Sequence, residues 1–140
     1  MTQSVDAPRK PIPQPDDLSR PFFEGAQCGE LMIQRCGECL ASLAPGSRAC
    51  TECLGERLEW ARASGKATLH TFAIMHQRYH PAFFDELPYN IAVVELEEGP
   101  RLNTTITGTP NDALRVGMSL VVTFEDVGEG VALPKFRPAD

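Results

Sequence analysis

Beyond Gly65 the chain alternates apolar and polar residues in short runs rich in β-branched and aromatic side chains, the pattern of half-buried strands. Four such runs are "KATLHTFAIMH" (66–76), "YNIAVVELEE" (89–98), "RLNTTITG" (101–108) and "MSLVVTFEDV" (118–127). A fifth, "GVALPKFRP" (130–138), carries Pro134, whose missing N–H places it at a sheet edge or a bulge. Gly99-Pro100 separates the second run from the third, and "TPNDALRVG" (109–117) reads as a short helical turn ending at Gly117. Five short strands with no long helix between them predict a small mainly-β barrel, and five is the strand number of the OB-fold. A barrel also leaves few strand edges unpaired.

Upstream the pattern changes. Residues 1–15 contain Pro8, Pro11, Pro13 and Pro15 with few apolar groups, which predicts a disordered, polyproline-like tail. In "DDLSRPFFEGAQCGEL" (16–31), Asp17 or Ser19 can cap a short helix, Pro21 suits its first turn, and Gly29 is a stop. Phe22 and Phe23 give that helix an apolar face, either for the core or for a partner. The organisation expected is a tail (1–15), a helix (16–30), a cysteine-rich segment (31–62) and the barrel (63–140).

That cysteine-rich segment holds "CGECLASLAPGSRACTECLG" (36–55), with two Cys-x-x-Cys pairs, Cys36/Cys39 and Cys50/Cys53, ten residues apart. A Cys-x-x-Cys turn points two sulfurs at one ion, and two facing turns complete a tetrahedral thiolate shell. Four protein ligands leave no open coordination position, so one structural Zn2+ is expected; iron fits the same shell. The short spacer predicts a compact two-strand excursion turning at Pro45-Gly46. Cys28 stands apart from both pairs.

Composition narrows the function. With 140 residues and 42% hydrophobic content, the chain can build one ordinary core or two small modules, and no apolar run approaches the ~20 residues of a membrane span. The opening "MTQSVDAPRKPIPQPDD" lacks the apolar centre of a signal peptide, which predicts a cytoplasmic chain with reduced thiols. The net charge of -6 lies mostly in residues 67–140, and no basic groove is present to bind phosphate backbones.

The longest connection in the barrel, "QRYHPAFFDELP" (77–88), carries Tyr79, His80, Phe83 and Phe84. Aromatics that no strand period explains either fold over the barrel end or meet a partner or ligand. Stacking on nucleobases is disfavoured by the neighbouring Asp85, Glu86, Glu95, Glu97 and Glu98. His70 and His76 share strand parity yet lie too far apart for one ion, and His80 is in the loop; scattered surface histidines are the simpler reading. No nucleophile–base pair, carboxylate dyad or phosphate-cradling glycine loop is evident.

The order of a short helix, a four-cysteine ribbon, then "LEWARASGKATLHTF", "LPYNIAVVELEEGPRL", "LRVGMSLVVTFEDV" and a closing "LPKFRPA" resembles the DUF35 family, whose members join a rubredoxin-like zinc ribbon to an OB-fold. The likeness covers residues 18–139. Cys36, Cys39, Cys50 and Cys53 fall on the family's zinc positions. Gly65, Pro88, Glu98-Gly99-Pro100, Gly117 and Phe136-Arg137-Pro138 fall on its recurring barrel positions. The sequence departs from the family at Leu40 and Leu54, where a glycine often follows the second cysteine of each pair. The resemblance implies a non-catalytic accessory subunit in a hetero-oligomer with a thiolase-fold enzyme: a thiolase, a ketoacyl-synthase-like enzyme or a lipid-transfer-protein-type aldolase. The partner would carry the catalytic residues, and this chain would help assemble the complex and position acyl-CoA. Two rival readings are a free-standing acyl-CoA-binding OB module and a ribbon-plus-OB nucleic-acid binder.

Overall fold

The computed structural model describes residues 9–139; positions 1–8 of the proline-rich segment lie outside the described residues, and residues 9–15 form no helix or strand. The first element, α1 (Arg20–Gln27), has Pro21 in its first turn and Ser19 at its N-cap. Ser19 does not cap through its side chain. Its N–H and hydroxyl both donate to Asp16 Oδ1, at 2.8 and 2.9 Å, closing a separate turn before the helix. Gly29, the expected stop, lies in the left-handed region at φ 78°.

Three strands follow: β1 (Met32–Cys36), β2 (Ser42–Leu43) and β3 (Leu58–Arg62). They form an antiparallel sheet in the order β2-β1-β3. The spacer between the cysteine pairs therefore departs from the expected two-strand excursion. It supplies only the two-residue β2, turns at Pro45-Gly46, and returns to Cys50 without a second strand. The reason is a buried side chain. Gln34 Nε2 donates to the Ser47 carbonyl at 3.0 Å, and the Ser47 N–H donates back to Gln34 Oε1 at 2.6 Å. One amide thus satisfies both backbone groups that a strand partner would otherwise take.

The remaining strands are β4 (Lys66–Met75), β5 (Tyr89–Leu96), β6 (Arg101–Thr104), β7 (Ser119–Gly128) and β8 (Val131–Pro138), in the order β6-β5-β4-β7-β8. Each matches an expected run to within a few residues, although β6 ends four residues early. Pro134 lies in an edge strand, as its missing donor requires. The sheet curls until its two edges meet at a parallel bridge between Ile106 and Phe136. There the Thr107 N–H donates to the Phe136 carbonyl at 2.8 Å. This is the five-stranded OB-fold arrangement.

The barrel interior holds Leu69, Val94, Leu96, Ile106, Leu120 and Phe136, all almost wholly buried; removing each from water stabilises the fold by roughly 1.5–3 kcal/mol. Leu31 and Ile33, at the start of the ribbon sheet, belong to this same core, as does Ala63, and Phe22 of α1 packs against it. A second cluster, Cys36, Leu43 and Cys50 with Ala41 and Leu58, forms at the far end of the ribbon. The ribbon thus has a base set in the barrel core and a tip with its own small core. The link between ribbon and barrel is held in place. The Ser64 N–H donates to Glu98 Oε2 at 2.7 Å, and the Val122 N–H donates to the Gly65 carbonyl at 2.8 Å. Gly65 sits at φ 85°, where a Cβ would come within 2.7 Å of Val122 Cγ1, so only glycine fits.

Candidate metal centre and docking surfaces

β1 delivers Cys36 into the first knuckle and the turn after Ala49 delivers Cys50 into the second. In each, the residue after the second cysteine returns its N–H to the first: Leu40 to the Cys36 carbonyl at 3.0 Å, Leu54 to the Cys50 carbonyl at 2.9 Å. The first cysteine's sulfur accepts backbone N–H groups, Glu38 (3.3 Å) and Cys39 (3.4 Å) on Cys36, and Glu52 (3.3 Å) on Cys50. The two turns are near-copies facing one another. Cys36 Sγ lies 3.6 Å from Cys53 Sγ and Cys39 Sγ 3.5 Å from Cys50 Sγ, and all four sulfurs fall within 4.8 Å of each other. A tetrahedral thiolate shell with bonds of about 2.3 Å has sulfurs about 3.8 Å apart, so the cluster fits a metal ion with little movement. Cys36 and Cys50 are buried and Cys39 and Cys53 exposed, leaving one side of the shell towards solvent. Among the described residues no other group of three His, Cys, Asp or Glu side chains converges in this way.

Without an ion the thiols compete for protons. The N–H groups of Cys39 and Glu38 hold the Cys36 thiol down at about 7. Cys53 goes the other way. The Gly55 N–H pulls it down, but proton sharing with Cys36, then burial, pushes it up to about 12. Cys39 is likewise raised: the Ala41 N–H lowers it, and the shared bond with Cys50 and burial outweigh that effect.

Leu40 and Leu54 occupy the left-handed region at φ 66° and 63°, a conformation that costs a non-glycine residue roughly 1–2 kcal/mol. The departure from the family's glycines is therefore visible in the backbone. Both side chains are also exposed, at 63% and 79%.

Of the loop aromatics, Phe83 and Phe84 neither fill the core nor stand free. His80 starts a 3-10 turn, Pro81–Glu86, its Nδ1 accepting the Ala82 N–H at 3.1 Å. The Phe83 ring lies 5.7 Å from His80 and 6.3 Å from Tyr89, with Lys10 Nζ 5.5 Å from its centroid. Lys10 also pairs with Glu86 at 2.6 Å, and Arg78 covers the Phe84 ring at 5.2 Å. Phe83 and Phe84 are half-buried, and Tyr79 is 69% exposed. Phe22 and Phe23 meet edge-on at 5.2 Å, and with Leu102, Leu133, Pro134 and Phe136 they line a small cleft of about 220 Å³ over the barrel seam. A bulge between Leu69 and Thr71 breaks the parity assumed for His70 and His76, and His76 lies past the end of β4, so the two do not share a strand face as the sequence pattern implies. Cys28 is exposed at the end of α1, outside the metal cluster.

A paired-knuckle thiolate site built onto a five-stranded OB barrel defines a class of ribbon-plus-barrel proteins. Relatives narrow it. A scaffold protein with a DUF35 domain from Methanothermobacter thermautotrophicus is 31% identical over 96 residues, covering 68% of this chain and 71% of that one. The chain belongs to the DUF35 family. A family profile described as the C-terminal OB-fold domain of ChsH2 matches residues 60–125. A probable enoyl-CoA hydratase alpha subunit from Thermomonospora curvata is 36% identical over 118 residues, 84% of this chain; the chain spans only 36% of that relative's length. Among solved structures, a chain of the Ltp2–ChsH2(DUF35) aldolase superposes with a TM-score of 0.82 at 33% identity, covering 92% of this chain and all of that one.

Proposed function

We propose that this protein is the non-catalytic accessory subunit of a thiolase-fold, acyl-CoA-processing enzyme, helping to assemble the complex and to position acyl-CoA. The observation that carries the reading is the end-to-end likeness to a chain of the Ltp2–ChsH2(DUF35) aldolase, 33% identical over 92% of this chain. Its site residues agree. The four cysteines converge as a closed four-sulfur set, which would hold a structural ion and leave no coordination position to a substrate. Zinc is the ion this donor set favours in a chain with reduced thiols. The ribbon (31–62) and barrel (63–140) then act as one scaffold, with the Gln77–Pro88 loop and Phe22/Phe23 as candidate docking groups. Tyr79, His80, Phe83 and Phe84 are the loop residues we assign to contact with the partner or acyl-CoA.

The test is catalysis with and without a partner. The purified chain should turn over no acyl-CoA in thiolase, condensing or aldolase assays, and should form a complex with the Ltp2 subunit of the related aldolase. Turnover by the isolated chain, or failure to bind Ltp2, overturns the reading.

A further inference from the structure

The two knuckles are near-copies, yet one residue makes them unequal. In the first, Arg57 holds both backbone groups of Gly37. The Arg57 carbonyl accepts the Gly37 N–H at 2.8 Å, and its guanidinium Nη2 donates to the Gly37 carbonyl. That carbonyl and the Glu38 N–H belong to one planar trans peptide, so they point in opposite directions. The N–H end donates to Cys36 Sγ at 3.3 Å. Arg57 is thus joined to a cluster sulfur through a single peptide unit. In the second knuckle the matching peptide runs from the Thr51 carbonyl to the Glu52 N–H, which donates to Cys50 Sγ at 3.3 Å. Among the described residues, no side chain donates to that Thr51 carbonyl.

We propose that Arg57 is a positioning residue of the metal centre: it aims and polarises the Glu38 N–H at the Cys36 sulfur and so tightens the hold on the ion. A cationic donor on a peptide carbonyl makes the N–H at the other end of that peptide a stronger donor. Partners that hydrogen-bond to a ligand in this way orient it and tune the metal. Cys36 is buried and Arg57 exposed, so the peptide carries the link from the surface to the buried sulfur. Gly37 is what lets the guanidinium lie there. A Cβ at that position would stand 2.7 Å from Arg57 Nε and 3.2 Å from the Arg57 carbonyl oxygen, so any side chain would push the arginine aside.

This inference rests on the four cysteines holding an ion and needs no partner subunit. Full-length chain, unaltered and as Arg57→Ala, is titrated with Zn2+ against a chromophoric chelator, and a second sample is loaded with iron for potentiometry. Arg57→Ala should lower zinc affinity by about tenfold, as loss of a partner that orients a ligand does. It should also lower the iron reduction potential, because weaker hydrogen bonding to sulfur favours the ferric form. Arg57→Lys keeps a cationic donor and should recover most of both. Gly37→Ala should reproduce the Arg57→Ala losses, and the double variant should be little worse than either, since both act through one contact. Neither residue belongs to the barrel core, so the β-sheet signal in circular dichroism should be the same throughout. Unchanged affinity and potential in Arg57→Ala overturn the inference. So does lost affinity with an unmoved potential, which would make Arg57 a brace for the ribbon alone. If the unaltered chain binds neither zinc nor iron, the metal-site reading fails and this inference fails with it.

Discussion

The side chain of Asn90 pairs with the backbone of Ile106 as a neighbouring strand would: Asn90 Nδ2 donates to the Ile106 carbonyl at 2.9 Å, and the Ile106 N–H donates to Asn90 Oδ1 at 2.7 Å. Asn111 extends the network, accepting from Asn90 at 3.1 Å and donating to the Pro88 carbonyl at 3.0 Å. Ile106 lies just beyond the end of β6, and its bridge to Phe136 closes the barrel. Asn90→Ala should therefore leave a buried N–H and C=O unpaired and cost about 3 kcal/mol or more. Asn90→Asp keeps the acceptor but loses the donor, and should also be destabilising. Chemical denaturation measures both; a loss under ~1 kcal/mol for Asn90→Ala would show that water replaces the amide.

Cys50→Ser should abolish stoichiometric metal binding. Because Cys50 belongs to the small core of the ribbon tip and not to the barrel core, most of the β-sheet signal should survive. Structural zinc is worth on the order of 10 kcal/mol in small modules, so the tip should lose its order with the ion. Elemental analysis and far-ultraviolet circular dichroism read the two effects. Cys28→Ser is the control and should change neither.

Metal loading should release protons. With Cys53 raised to about 12 and Cys39 also raised, the metal-free cluster keeps at least these two thiols protonated at neutral pH. The bound form needs thiolates, so each thiol proton is displaced as the ion enters. The sign follows: affinity falls as pH falls, by about a hundredfold per pH unit if two protons leave together. Zinc addition in weak buffer near pH 7.5, followed with a pH indicator, should give two or more protons per ion; fewer than one would mean that the cluster is already ionised.

Phe83→Ala with Phe84→Ala tests the barrel-end loop. Both rings are half-buried against His80, Tyr89, Lys10 and Arg78, outside the main core cluster. The double variant should lose no more than about 2 kcal/mol of stability, less than two buried aromatics would cost. Its affinity for the proposed partner subunit should drop by about thirtyfold. Melting and binding measured on one sample distinguish the outcomes. A strongly destabilised variant that still binds fully would mark the rings as a plug and not an interface.

The strands and the four-cysteine cluster were legible because both are written in local spacing. Alternation placed β4, β5, β7 and β8 to within a few residues, and two Cys-x-x-Cys pairs need no tertiary information to suggest a shared ion. What escaped were contacts that local pattern does not encode. Asn90 sits at an inward position with Ala92, Val94 and Leu96, so its burial was readable, but its partner sixteen residues later was not. Gln34 follows the buried Ile33 and breaks alternation, and its clasp on Ser47 replaced the second strand expected in the spacer. The bulge after Leu69 shifted every later residue of β4 to the opposite face, which no property of His70 announces. Leu40 and Leu54 were noticed as missing glycines; their left-handed backbones required coordinates.

The division of the ribbon between two cores has a consequence for synthesis. The tip closes through residues 36–58 alone, a local loop that can order around its ion soon after it leaves the ribosome. Leu31 and Ile33 were made earlier, yet their packing partners extend to Phe136, over a hundred residues downstream. The oldest apolar side chains of the ribbon therefore stay uncovered longest, until β8 is released. On this order of synthesis, the ribbon tip can close while its base still stands exposed, the kind of uncovered apolar surface that chaperones shield.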